Sequence, residues 1–66
     1  MDVAGIIAYE NGDLDNADTI RLFASLIESG LAWQLQGAYG RMASHLIESG
    51  HIDEYGNITE YGYENM

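Results

Sequence analysis

The chain contains no cysteine, no proline and no lysine. Without cysteine, neither a disulfide framework nor a cysteine-ligated zinc site is possible, although small domains often depend on such devices. Without proline, glycine alone punctuates the chain. Without lysine, the only bases are Arg21 and Arg41, which face eleven acids for a formal net charge of -9. That balance repels phosphate backbones and anionic lipid surfaces, so no direct nucleic-acid partner and no membrane partner is expected. No apolar run approaches the roughly 18 residues of a membrane span. The first residues also lack the basic stretch of a signal peptide, and the expectation is a cytosolic protein.

Sixty-six residues, 47% of them apolar, make one domain. A chain this short buries only about 60% of the surface that it exposes when unfolded, so self-association is the first aid to consider. The acidity has two readings. It is a solubility device for a small apolar domain, or it imitates DNA phosphates or meets a basic patch on a partner.

Gly12, Gly30 and Gly50 each close a segment of helical character, as a left-handed residue does at a helix end. Asp2 suits the cap of a first helix at about residues 3–10, with a strand as the alternative there; Val3, Ile6 and Ile7 form its apolar side, with Tyr9 as a further candidate. Asp15 or Asn16 caps a second helix at about 16–29, where Ile20, Phe23, Ala24 and Ile27 follow the i, i+3, i+4, i+7 spacing. Leu22 and Leu26 widen that stripe to about 200°, against the 100° or somewhat more of a typical surface helix. Such a helix is central in the fold or forms a dimer face, and a homodimer through Leu22 and Leu26 is the expectation drawn from it. Tyr39, Met42, Ala43 and Leu46 give a third helix at about 38–49, with Gly37 and Gly40 marking its start. Both later helices end in Leu-Ile-Glu-Ser-Gly, read as two helices terminated in the same way. The expected architecture is all-α: a three-helix domain over 1–52, then a short hairpin or extended acidic tail over 53–66. The last seven residues read as a frayed end.

Few constellations suit chemistry. His45, Glu48 and His51 are the one metal trio on offer, and a solvated helix face explains them more simply. Asp13, Asp15 and Asp18 suggest a calcium loop, but Asp18 and Ala24 stand where that loop needs Gly and Glu. Ser44 and Ser49 lie near His45 with Asp53 beyond, yet no nucleophile-elbow motif accompanies them. A helix-turn-helix would need a shorter connection than Gly30 to Gly37. The expectation is a non-enzymatic protein with no catalytic residues, no cofactor and no metal.

The most distinctive stretch is Leu31-Ala32-Trp33-Gln34-Leu35-Gln36-Gly37-Ala38-Tyr39-Gly40-Arg41, which holds the only Trp and one of the two bases. In one reading Leu31, Trp33 or Leu35, and Tyr39 fill the core. In the other, Trp33, Gln34, Gln36, Tyr39 and Arg41 form a protein-binding surface, since Trp, Tyr and Arg anchor interfaces. With Ala43 and Leu46-Ile47-Glu48-Ser49-Gly50, this stretch resembles a family of very small proteins encoded by tailed bacteriophages. The likeness covers about residues 2–52. It brings no assigned activity, so no functional residue carries over. What it implies is context: synthesis in the cytoplasm of an infected bacterial host, and an accessory role binding a host or phage protein. An acidic DNA mimic that blocks a restriction, repair or transcription enzyme is the alternative.

Overall fold

A computed structural model of the chain describes residues 2–66. Helix α1 spans Val3–Glu10, α2 Asn16–Ser29, α3 Gly37–Glu48 and α4 Glu60–Glu64, with a single 3-10 turn at Leu31–Trp33. No strand forms among the described residues, where an isolated antiparallel bridge joins Ile52 to Ile58. The fold is the all-α one that the periodicities predict.

Local chemistry sets the boundaries. The Asp2 carboxylate accepts from the Gly5 amide and the Asp15 carboxylate from the Asp18 amide, each at 2.8 Å, supplying partners that the first turn of a helix lacks. Gly30 and Gly50 both adopt positive φ, and the two Leu-Ile-Glu-Ser-Gly copies end alike. Ser29 and Ser49 donate to the carbonyls of Leu26 and Leu46, both at 3.2 Å, while the Gly30 and Gly50 amides reach Ile27 and Ile47. The copies diverge only afterwards, one into the 3-10 turn and the other into the bridge.

The core is built around α2, which packs against α1, the 3-10 turn and α3. Phe23, Leu26, Ala32, Ala43 and Ile52 are essentially sealed from solvent. Tyr9, Phe23 and Tyr39 form an aromatic triangle with ring centroids 5.2 to 6.0 Å apart, a spacing at which edge-to-face and offset contacts are favourable. The wide apolar arc of α2 is therefore used inside the chain. Leu22 lines a small concavity with Gly5 and Leu14, and Leu22 and Leu26 are both buried. The dimer face expected at these two residues is corrected. They are core because α2 is the central helix.

The C-terminal residues are more ordered than a frayed tail. The amides of His51 and Ile52 both donate to the Leu46 carbonyl, and Ile52 enters the core. Asp53 organises the following turn, its carboxylate accepting from the amides of Tyr55 and Asn57 at 2.9 Å. Those bonds, led by the one from Asn57, hold its pKa below the usual carboxylate value. Gly56, at φ 91°, presses this turn on α2, where a Cβ would come within 2.6 Å of the Ala24 carbonyl and the Glu28 amide. Thr59 then caps α4 by accepting from the Gly62 amide at 2.9 Å, while its hydroxyl donates to the Gly50 carbonyl. Gly62 is buried against His51 and Ile58. A cap and a close glycine contact thus hold the end of the chain as a short helix.

Candidate protein-binding surface

The 3-10 turn sorts the Trp33 stretch into an inner and an outer set. Ala32 points inward and is fully buried, which turns its neighbour Trp33 outward at 51% exposure. Leu31 and Leu35 are half-buried against the core, while Gln34 and Gln36 are exposed. Tyr39 goes the other way. It is 6% exposed, and its hydroxyl donates to the Glu10 carboxylate at 2.6 Å. Burial first, then the bond to Glu10 and the charge there, push its pKa up to about 12. Tyr39 is thus corrected from surface anchor to core residue, because it lies on the inward stripe of α3 with Ala43 and Leu46.

Trp33 and Arg41 stay together. They line one open concavity of about 460 Å³ with Gly37, Gly40, Ser44, His45 and Glu48. A Cβ on Gly40 would lie 3.8 Å from Trp33 Cε3, so the indole leans over this position. A Cβ on Gly37 would stand 3.0 Å from Arg41 Nη1, so the guanidinium folds back on the first turn of α3. Both glycines lie within α3, one residue earlier than the expected start. The floor is thus small and the rim large. Among the described residues the one ion pair is Arg21 to Asp18 at 3.2 Å, which leaves Arg41 without a carboxylate. Sequence reasoning missed the contributions of Gly37, Gly40 and Ser44. Their signal was the i, i+3, i+7 spacing of small residues on one side of α3.

The other candidates disperse. No group of three metal-ligating side chains converges among the described residues. His51 packs edge-on against the Tyr61 ring at 5.1 Å, and its Nδ1 lies 2.6 Å from Ser49 Oγ. Ser49 is thereby paired with His51 and not with His45, and Asp53 is spent on its own turn. No helix among the described residues is long and apolar enough to cross a membrane.

The family described as "Domain of unknown function (DUF7417)" matches residues 2–66, and the chain belongs to it. That match includes the C-terminal turn and α4, which the phage resemblance leaves out. No curated protein and no solved structure matches the chain.

Proposed function

We propose that this member of the DUF7417 family is a non-enzymatic accessory protein that binds a host or phage protein through the Trp33–Arg41 surface, in the cytoplasm of an infected bacterial cell. The observation that carries this reading is the half-exposed Trp33 beside an Arg41 that has no ion-pair partner among the described residues, both on the rim of one concavity. A half-exposed indole gains from being covered, and a guanidinium with free donors can grip a carboxylate or carbonyl of the partner. Gly37, Gly40 and Ser44 keep the floor low enough for a partner backbone to approach. Gln34 and Gln36 supply hydrogen bonds at the edge. The phage context rests on the sequence resemblance alone.

The test is capture of the partner by tagged protein produced in the bacterial host, with Trp33→Ala and Arg41→Ala variants alongside. Each variant is expected to weaken binding about tenfold or more. Capture unaffected by both substitutions would sink the reading.

A second reading, mimicry of DNA by acids, draws on a different observation. Every acid but Asp53 is exposed, and of these only Asp18 is engaged in an ion pair among the described residues. Binding through such a surface would collapse between about 50 and 200 mM salt, whereas the Trp33 surface would largely hold.

A further inference from the structure

Of the eleven acids and two bases in the chain, α3 holds one of each, Glu48 and Arg41. The whole formal excess of -9 therefore lies on the rest of the molecule. Arg41 and Glu48 line the same concavity beside Trp33, with Ser44 and His45 between them, and all four are exposed. Neither Arg41 nor Glu48 takes part in the one ion pair found among the described residues. They do not reach each other within one chain, because seven residues of helix set them about 10 Å apart along its axis.

This order is self-complementary. When α3 lies antiparallel against a second copy of itself, with a twofold axis passing between Ser44 and His45, position 41 faces position 48 twice. Each Arg41 then meets the Glu48 of the second copy, and each Ser44 hydroxyl comes opposite a His45 ring. A contact about a twofold axis requires a surface that complements itself in this way. The parallel arrangement sets Arg41 against Arg41 and Glu48 against Glu48, and is repelled. Approach through the acid-bearing faces of the molecule also brings like charges together. Helix α1 is uncharged from Val3 to Tyr9 and exposes Val3 and Ile7, but it carries no charges to fix an orientation. On α3, Trp33 leans over Gly40 at the N-terminal end. In the antiparallel pair each indole therefore lies against the C-terminal end of the other α3. There its half-exposed ring leaves water.

We infer that α3 is a self-docking face, on which two copies of the chain pair antiparallel through Arg41 and Glu48 and cover each other's Trp33. The inference rests on the reading of Trp33 and Arg41 as surface groups given above, and it makes a second copy and the partner protein competitors for them. The contact is one helix long, about 18 Å for the 12 residues of α3. It falls in the small interface class, below about 1,200 Å² in total, so pairing is reversible, with a dissociation constant on the order of 100 μM. A tighter-binding partner displaces the second copy.

The experiment is sedimentation equilibrium of the full chain at low salt, from about 10 μM to about 1 mM, with a dilution series followed by nuclear magnetic resonance. The mass is expected to climb towards that of a dimer, and the amide signals that move on dilution should be those of residues 33–48. Arg41→Glu and Glu48→Arg each place like charges at both ends of the contact, and each should weaken pairing about tenfold or more. Glu48→Arg also brings the formal charge from -9 to -7, so relief of net repulsion alone would strengthen association instead. The two substitutions together reverse both ion pairs at unchanged net charge and should restore pairing to within about threefold. Both positions are exposed, and an acid earlier in α3 with a base in its last turn suits the helix dipole. The circular dichroism of all three variants should therefore match the original. A monomer at about 1 mM, single variants that pair like the original, a double variant that stays monomeric, or dilution shifts centred on Val3 and Ile7 would each overturn the inference. None of these outcomes touches the partner reading, which falls only if Trp33→Ala and Arg41→Ala still capture the partner.

Discussion

The hydroxyl of Tyr39 on α3 donates to the carboxylate of Glu10 at the end of α1, 2.6 Å away across twenty-nine residues of chain. This bond fastens the first helix to the third over the Tyr9–Phe23–Tyr39 triangle. It also makes the fold sensitive to alkali. The Tyr39 phenol ionises near 10 when the chain is unfolded, and burial with the neighbouring Glu10 carboxylate raises it to about 12 in the fold. A group with a raised folded value gives its full contribution below the unfolded pKa and loses it as the pH climbs through the folded one. Stability is therefore expected to fall between pH 10 and 12, by up to about 2 kcal/mol from this residue. The comparison is the urea midpoint of the original protein and of Tyr39→Phe at pH 9 and pH 11.5. The variant starts about 1 kcal/mol lower for want of the bond. It should then lose less on going to the higher pH, and parallel losses would exclude Tyr39 as the group responsible.

Leu22 and Leu26 separate two accounts of α2. At an interface between copies, Leu22→Glu with Leu26→Glu would yield a folded monomer. In the core, where both are buried, two carboxylates must be desolvated without partners, at a cost of several kcal/mol each. A domain of this size has a total stability of roughly 5 kcal/mol. The expected outcome is an unfolded chain, seen as loss of the helical circular dichroism signal at 25 °C. A helical monomer from the double variant would return these leucines to the surface.

Much of this arrangement was legible in the residues, and the parts that were not share a cause. Periodicity placed α2 and α3 and put Ile20, Phe23, Ala43 and Leu46 inside. Glycine after a polar pair located both helix ends. The same periodicity put Tyr39 in the core stripe, and only its residue type argued for an interface. Periodicity could not decide between two uses of the surplus on α2, since Leu22 and Leu26 look alike whether the chain or a second copy covers them. Close approach of backbones was invisible. Gly56 and Gly62 are buried because they touch carbonyls and amides far along the chain, and a glycine in sequence reads as a break. The spacing of Thr59 and Gly62 carries a cap, but a five-residue helix leaves too few turns for its face to show as a repeat. Trp33 turned outward because the short 3-10 turn gives the inward place to Ala32.

Two glycines respond in opposite directions to the same substitution. Gly40 lies within α3, and a Cβ there would meet Ala32 and Trp33 at ordinary contact distance, 3.7 and 3.8 Å. Gly40→Ala is expected to stabilise the fold by about 0.5–1 kcal/mol, by removing freedom from the unfolded chain. Gly56 combines positive φ with backbone atoms of α2 within 2.6 Å of any Cβ. Gly56→Ala must strain the turn or lift it from the helix, for a loss of about 2 kcal/mol or more. Thermal melts of both variants check the pair. A neutral Gly56→Ala would mean that the 53–57 turn does not press on α2.

The same contrast, drawn between aromatic side chains, tests whether Trp33 belongs to a surface. Removing the Tyr39 ring opens the core between α1, α2 and α3, and Tyr39→Ala is expected to cost about 3–5 kcal/mol, enough to unfold much of the protein at 37 °C. Trp33→Ala removes a larger ring, yet half of it faces solvent, and what it leans on is the glycine at position 40. The loss should be about 1 kcal/mol or less, which for a domain of this size shifts the melting temperature by about 4–8 °C at most. Partner binding, in contrast, should fall about tenfold. The Trp33 fluorescence of the free protein gives an independent reading: a half-exposed indole emits to the red of a buried one and should shift blue when the partner covers it. A Trp33→Ala protein that melts as low as Tyr39→Ala would place the indole in the core, and the surface built around it would fall with it.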